Sequence, residues 1–288
     1  MEAGINDSFE SILKAMQMDS SLQSQVLDYI EAHSAELDCL SQGAYAGYGP
    51  AFPLCRRRPF TRLLVLIYRL MDIRRRYIAK GVPEKIFADT ICDLTLRESL
   101  YYQKTGKHGL ECSDVTWFRH LENVHIFKLG PLQFQRFFMI YLDETLLGRY
   151  YMRYIPEAKM NLPEKTPVIN VHIQKGAYLS PALVDAAFDE ARLFFQKVFP
   201  EQNFRAFHCY SWLLYPGLRH FLSLDSHIMH FARRFEIIGT VNDRDPAIKA
   251  IYGRRFHALK DYPQNTSLQK AAIRHFEYLG DACGIIKI

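Results

Sequence analysis

The sequence predicts an α+β chain in two parts: an all-helical N-terminal domain over residues 1–112, then a mixed β-sheet domain with flanking helices over 113–288. Three observations predict it. Apolar residues recur at helical spacing through the first part. From Gly130 the periodicity changes to alternation and short β-branched runs. The stretch Val168–Leu214 reads strand, helix, strand, a β-α-β unit whose crossover should be right-handed.

Each element follows from its residues. "SFESILKAMQM" opens with Ser8 as a helix N-cap and carries Phe9, Ile12, Leu13 and Met16 on one face. "SLQSQVLDYIEAHSAELD" repeats the pattern with Leu22, Val26, Leu27 and Ile30. "GAYAGYGPAFPLCRRRP" is rich in Gly and Pro and reads as a loop. A helix follows from Phe60 to about Lys80, with Leu63, Leu66, Ile67, Leu70 and Ile73 or Tyr77 sharing a face; Gly81 ends it and Pro83 prevents continuation. Residues 84–103 form another helix. After the linker "TGKHGLECSD", Ser113 or Asp114 caps a helix reaching about Phe127.

In the second part, "LQFQRFFMIYLD" reads as a strand and "RYYMRYI" as extended chain. "TPVINVHI", bounded by Pro167 and Gly176, is a strand. "SPALVDAAFDEARLFFQKVF" is a helix with Ser180 as cap and Pro181 at its first position. Its buried face carries Leu183, Ala187, Ala191, Phe194 and Phe195. "FRAFHCYSWLLY" reads as a strand, "LRHFL" as a short helical turn and "SHIMHFARRFEIIGTV" as a long strand. Thr266 or Ser267 caps a last helix through about Tyr278, and "GIIKI" closes the chain as a strand that pairs with an earlier one.

Composition narrows the function classes. With 49% hydrophobic residues the chain can bury a large core. A formal charge of +5 is mild for a dedicated nucleic-acid binder and equally suits an anionic small ligand. The triplets in "CRRRP" and "DIRRRY" include Arg74–Arg76, which fan around the solvated side of their helix, so no nucleic-acid partner is expected. Cys39, Cys55, Cys92, Cys112, Cys209 and Cys283 form no C-x-x-C pair, and they read as free thiols in a reducing compartment. "MEAGINDSFE" lacks the apolar core of a signal peptide, and "LLVLIYRLM" is too short to span a bilayer. A cytoplasmic protein with no membrane partner is the expectation. His227 and His230, three apart in a predicted strand, face opposite ways, so no metal site is expected. Oligomeric state is not legible.

Two stretches carry chemistry. In "VHIQKGAYLSPALV" a strand ends at Ile173 and a helix begins near Pro181. A turn of this kind is either a plain connection or an anion site, where helix N-terminal N–H groups, Gly176 and Lys175 receive a phosphate. In "FHCYSWLLYP" alternation sends Phe207, Cys209, Ser211 and Leu213 one way and His208, Tyr210 and Trp212 the other. No dyad forms within the strand, and Ser211 lacks the G-x-S-x-G elbow. Asn170 and His172 share a face of the neighbouring strand. If that face meets Cys209 and Ser211, a thiol, a hydroxyl and an imidazole converge; otherwise this is a core strand whose polar atoms find backbone partners.

The series "VHIQKGAYLS", "ARLFFQKVFPE", "FHCYSWLLYPGL" and "NTSLQKAAIRHF", with "LGPLQFQ" at Leu129–Gln135, resembles a bacterial family of acyltransferases. These have a helical N-terminal domain and a GNAT-like C-terminal domain. The resemblance covers most of the chain and is strongest from about 115 to 280. Two departures stand out: Gln174 replaces the proline of a His-Ile-Pro strand end, and Pro131 replaces an Arg. The Gln/Arg-x-x-Gly-x-Gly/Ala pyrophosphate signature is reduced to "QKGA". The resemblance implies acyl-CoA or acetyl-CoA as co-substrate, with Gln174, Lys175, Gly176 and Ala177 at its pyrophosphate. It also implies transfer to a small-molecule amine or hydroxyl acceptor in the gap between splayed strands. His172 is then the candidate base, Ser211 an aid to the acceptor or the leaving thiolate, and Cys209 an alternative acyl carrier, with direct attack the simpler route. A ligand-binding protein that keeps the fold without the chemistry is the other reading.

Overall fold

The computed structural model describes residues 8–48, 51–142 and 152–288, and the chain divides into two compact units, 1–128 and 129–288. The N-terminal decapeptide read against a signal sequence lies largely outside the described residues.

The first unit is helical: α1 (Phe9–Ala15), α2 (Ser20–Gln42), α3 (Pro59–Ala79), α4 (Glu84–Thr105) and α5 (Cys112–Glu122). Ser8 caps α1 as expected, its side chain accepting from Ser11 N–H. Asp19 does the same for α2. Gly106 ends α4 at φ +69, a left-handed conformation that glycine adopts without a Cβ penalty. The α3 stripe Leu63, Leu66, Ile67, Leu70, Ile73 and Tyr77 is buried in full. Between Ala51 and Pro59 the predicted loop contains a short 3-10 turn, Pro53–Arg56; its Gly49–Pro50 step lies outside the described residues.

Several expectations change here. The helix expected to reach Phe127 stops at Glu122, because Val124 takes φ +54 and turns the chain into a strand from Ile126. Its cap is Glu111, in a box with Asp114. Of the arginines expected to fan into solvent, Arg75 and Arg76 are exposed but Arg74 is not. Arg74 chelates Glu84, and Arg69 and Arg76 both grip the buried Glu122 carboxylate. Arg97 similarly joins Asp93 and Asp114, and Trp117 Nε1 donates to Asp93 at 2.8 Å. These bonds tie α5 to α3 and α4, so the chain divides after residue 128 and not at 112/113.

The second unit is built on a mixed sheet: β1 (Ile126–Leu129), β2 (Leu132–Phe138), β3 (Arg153–Tyr154), β4 (Pro167–Ile173), β5 (Ala206–Ser211), β6 (Glu236–Val241) and β7 (Asp281–Lys287). Its seven strands run in the order β1-β2-β4-β5-β7-β6-β3. β4 and β5 are parallel, joined through α7 (Pro181–Val198), and the other pairings recorded are antiparallel. The last strand therefore sits between β5 and β6, where it was expected only to find some earlier partner. Of "RYYMRYI", residues 149–151 lie outside the described residues. Helices α6 (Pro156–Asn161), α8 (His227–Ala232), α9 (Asp245–Tyr252) and α10 (Ser267–Arg274) flank the sheet. Thr266 caps α10 in a box with Gln269.

Further corrections concern sites. "SHIMHFARRFEIIGTV" is not one strand. Ser226 accepts from Met229 N–H and starts α8, and only Glu236–Val241 is extended. "FRAFHCYSWLLY" leaves the sheet at Ser211, whose hydroxyl accepts from Leu213 N–H and starts a 3-10 turn. On α7 the buried face is Val184, Ala187, Phe188, Ala191, Phe194 and Phe195; Leu183 points outward, 49% exposed.

Candidate active site

The two faces of the sheet differ in chemistry. One face carries Phe134, Ile169, Val171, Phe207 and Cys209, with α7 against it: Phe188 meets Phe134 at 5.7 Å and Phe207 at 4.9 Å between ring centroids. Cys209 is fully buried on this side, and burial pushes its thiol well above the ordinary range. A thiol there is neither ionised nor reached by substrate, so an acyl-Cys209 route has no physical basis.

The other face carries the polar residues. Asn170 lies level with His208 across the parallel β4–β5 pair and with Gln135 across β2–β4. The face bearing Asn170 and His172 thus meets His208, and the expected convergence with Cys209 and Ser211 does not occur. The register is the reason: a one-residue offset between neighbouring strands exchanges every side chain between faces. His208 and Gln135 take the places assigned to Cys209 and Ser211.

The result is a hydrogen-bonded ladder across four strands. His208 Nδ1 lies 2.9 Å from Asn170 Oδ1, and His208 Nε2 lies 3.2 Å from Cys283 Sγ. Asn170 Nδ2 is 3.4 Å from Gln135 Oε1 and 3.2 Å from His172 Nε2. His172 Nε2 is 2.7 Å from Gln135 Oε1. Donor and acceptor roles follow from the chemistry of the partners. Burial lowers His208 to about 4, so its ring is neutral, and it raises the Cys283 thiol to about 12. A carboxamide oxygen only accepts, so His208 Nδ1–H donates to Asn170, and the Cys283 thiol donates to His208 Nε2. Asn170 then turns its amide group toward Gln135. The shortest contact at His172 has Nε2–H donating to Gln135 Oε1, which leaves the lone pair of the ring on Nδ1.

His172 is half-buried at the C-terminal end of β4. In open sheets with parallel strands, ligands bind outside the carboxyl ends of the strands where connections diverge. Gln174–Ser180 leaves this end and enters α7. Gly176 takes φ +81 with open space where a Cβ would stand, and Lys175 is exposed beside it. Pro181 begins α7, and no acidic residue lies in its first turn, so its N-terminal N–H groups favour an anion. The correction to the long predicted strand bears on this site. Arg234, which follows α8, donates from Nε to Asp185 on α7 at 2.6 Å and from Nη2 to the Pro181 carbonyl at 3.1 Å, while His227 packs on Tyr178 of the loop at 5.1 Å. His227 and His230 share a helical face, and among the described residues no group of three metal-ligating side chains forms. No helix among them is long and apolar enough to cross a membrane.

Ser211 sits at the end of β5, half-buried, capping its own turn. Gln135 was visible in the sequence only as one of two glutamines alternating with apolar residues in β2. His208 was visible, but on the face expected to point away.

A helical unit is followed by a mixed sheet in which β4 and β5 pair in parallel at Ile169–Phe207 and Asn170–His208, with the Gln174–Ser180 loop leaving the end of β4 for α7. A model of the N-acyltransferase N-terminal domain matches residues 7–122, and one of the GNAT-like C-terminal domain matches residues 126–285. The chain belongs to the family defined by that GNAT-like C-terminal domain. It is similar to a solved acyltransferase in complex with decanoyl-CoA and teicoplanin, at 18% identity and a TM-score of 0.71, with 98% of this chain and 88% of that one covered. An acyltransferase in complex with decanoyl-CoA alone gives 21% identity with the same coverage and TM-score. At these identities the likeness establishes the fold. No curated protein matches the chain.

Proposed function

We propose that this chain transfers an acyl group from acyl-CoA to an amine or hydroxyl of a small-molecule acceptor by direct attack. The observation that carries the reading is His172: a half-buried imidazole at the end of β4, oriented by Gln135, beside the loop that opens the N-terminus of α7. The decanoyl-CoA and teicoplanin held by the structural neighbours support an acyl-CoA donor and a small-molecule acceptor.

In this reading Gln174, Lys175, Gly176 and Ala177 receive the pyrophosphate with the α7 N–H groups. The acceptor's N–H or O–H gives its proton to the His172 imidazole as the acceptor's lone pair attacks the thioester carbonyl. The tetrahedral intermediate collapses, the C–S bond breaks, and the imidazolium returns the proton to the departing thiolate. Ser211 lies on the opposite face with its hydroxyl engaged by Leu213 N–H, so no role in acceptor binding is assigned to it.

The test is a calorimetric titration with CoA, acetyl-CoA and longer acyl-CoAs, followed by thiol-release kinetics. Binding with turnover that falls roughly 10²–10⁴-fold in His172→Ala supports the mechanism. Full turnover in that variant removes His172 from it. Binding without any turnover selects the ligand-binding alternative, which the shortened "QKGA" signature favours. No binding of any CoA species sinks the acyl-CoA reading.

A further inference from the structure

One buried acid on the polar face has no part in this mechanism. Asp281 opens β7 two residues before Cys283, so it faces the side that carries His208, Tyr210 and His172. It is 1% exposed, and neither carboxyl oxygen has a hydrogen-bond partner within 3.5 Å; a looser interaction with the Tyr210 hydroxyl is its one side-chain bond among the described residues. The other buried acids among the described residues, Asp93, Glu98, Asp114 and Glu122, are each held by an Arg or a His. A buried carboxyl without a close partner is costly to keep, which points to a partner that arrives from outside.

The surroundings indicate which partner. The Tyr210 hydroxyl stands beside Asp281, and the Asp243 carboxylate lies close enough to act on it electrostatically. No ion pair among the described residues reaches Asp281. On this face His172 and Tyr210 are partly exposed, as is Asp243, so solvent reaches the residues next to the acid. Two carboxyls without a third ligand make a poor metal site. An ammonium fits better. Its three N–H donors can satisfy both Asp281 oxygens and one oxygen of Tyr210 or Asp243.

We propose that Asp281 anchors a protonated amine of the acceptor. The inference rests on the acyl-transfer reading for its meaning. Asp281 lies two strands from His172, so the anchored nitrogen is on the order of 10 Å from the group that is acylated. The acceptor class is therefore a diamine, a polyamine or an amino compound with a second nucleophile.

The experiment compares α,ω-diaminooctane with octylamine as acceptors of octanoyl-CoA, in the full chain, Asp281→Asn, Asp243→Asn and the surface control Glu277→Gln. Asn keeps the shape of the buried acid and removes only its charge. The full chain and the control should prefer the diamine about tenfold or more in kcat/KM, the equivalent of one charge-assisted hydrogen bond. That preference should collapse to about one in Asp281→Asn and shrink in Asp243→Asn. Calorimetric titration with α,ω-diaminooctane, and separately with CoA, is read on the same proteins. An unselective full chain, or a preference that survives in Asp281→Asn, overturns the anchor. If CoA fails to bind while the diamine binds only when Asp281 is present, the anchor stands and the acyl-transfer reading falls. If CoA binds and the diamine does not, the anchor alone falls.

Discussion

The helical unit and the sheet unit treat buried polar groups in opposite ways. In the first, buried acids are ionic and closed off: Glu122 between Arg69 and Arg76, Asp93 and Asp114 around Arg97, and Glu98 2.7 Å from His108. These groups have their partners within the fold and hold helices in register. In the second, the polar groups are neutral or poorly partnered: Gln135, Asn170 and His208 form an uncharged ladder, and Asp281 has no hydrogen bond within 3.5 Å. Saturated networks make scaffolds. Unsaturated ones, placed at strand ends, remain able to bind something else.

The contrast breaks most sharply at Glu122. Replacing it with Ala leaves two arginines facing each other without their carboxylate, and removing one partner of a buried pair destabilises by about 3–5 kcal/mol. Denaturant unfolding should show this loss, and an unchanged midpoint would mean the pairing contributes little to scaffold stability.

In the sheet unit Asp281→Asn should have the opposite sign. Burial raises the Asp281 carboxyl to about 7, with Asp243 adding to the shift. The folded state therefore holds a proton that the unfolded chain releases near 3.8, and stability falls as pH rises from about 4 to 7. About three pKa units correspond to roughly 4 kcal/mol as an upper bound. Asp281→Asn should be more stable than the parent at pH 8, by less than that bound, with the two converging at pH 4. A loss of stability at pH 8 would refute the account.

His208 contributes a slope of the other sign. Its pKa is depressed to about 4 by burial, so the unfolded chain binds its proton first, and stability falls as pH drops from about 6.5 to 4. The two slopes partly cancel in the parent. Asp281→Asn should expose the acid-side loss, by up to about 3 kcal/mol, and His208→Gln the decline toward neutral pH, by up to about 4 kcal/mol. Identical pH profiles in the two variants would show that these residues do not set the pH dependence.

The smallest effect is expected at Trp117→Phe. It removes the indole donor from Asp93 but leaves Arg97 in place, so a loss of about 1–2 kcal/mol should appear in denaturant midpoints. A much larger loss would mean that Arg97 alone cannot hold the buried acid.

What the sequence determined by itself is local. Caps at Ser8 and Thr266, the α3 stripe, the β4–loop–α7 connection and the alternation of β2 all follow from short-range rules, and the structure bears them out. The change of periodicity near Gly130 supplied the two-part architecture, the family resemblance supplied its GNAT-like second half, and the family matches agree with both. What only the tertiary structure decided is which strand face meets which. His172, Cys209 and Ser211 were all visible as chemistry-bearing residues. Register across β2, β4, β5 and β7 decided that His172 joins Gln135, Asn170 and His208 while Cys209 goes beneath α7. Asp281 shows the same limit: it precedes the "GIIKI" run read as the last strand, and nothing local singles it out. Its meaning came from losing water without gaining a close partner, a property of the packed sheet that no local pattern encodes.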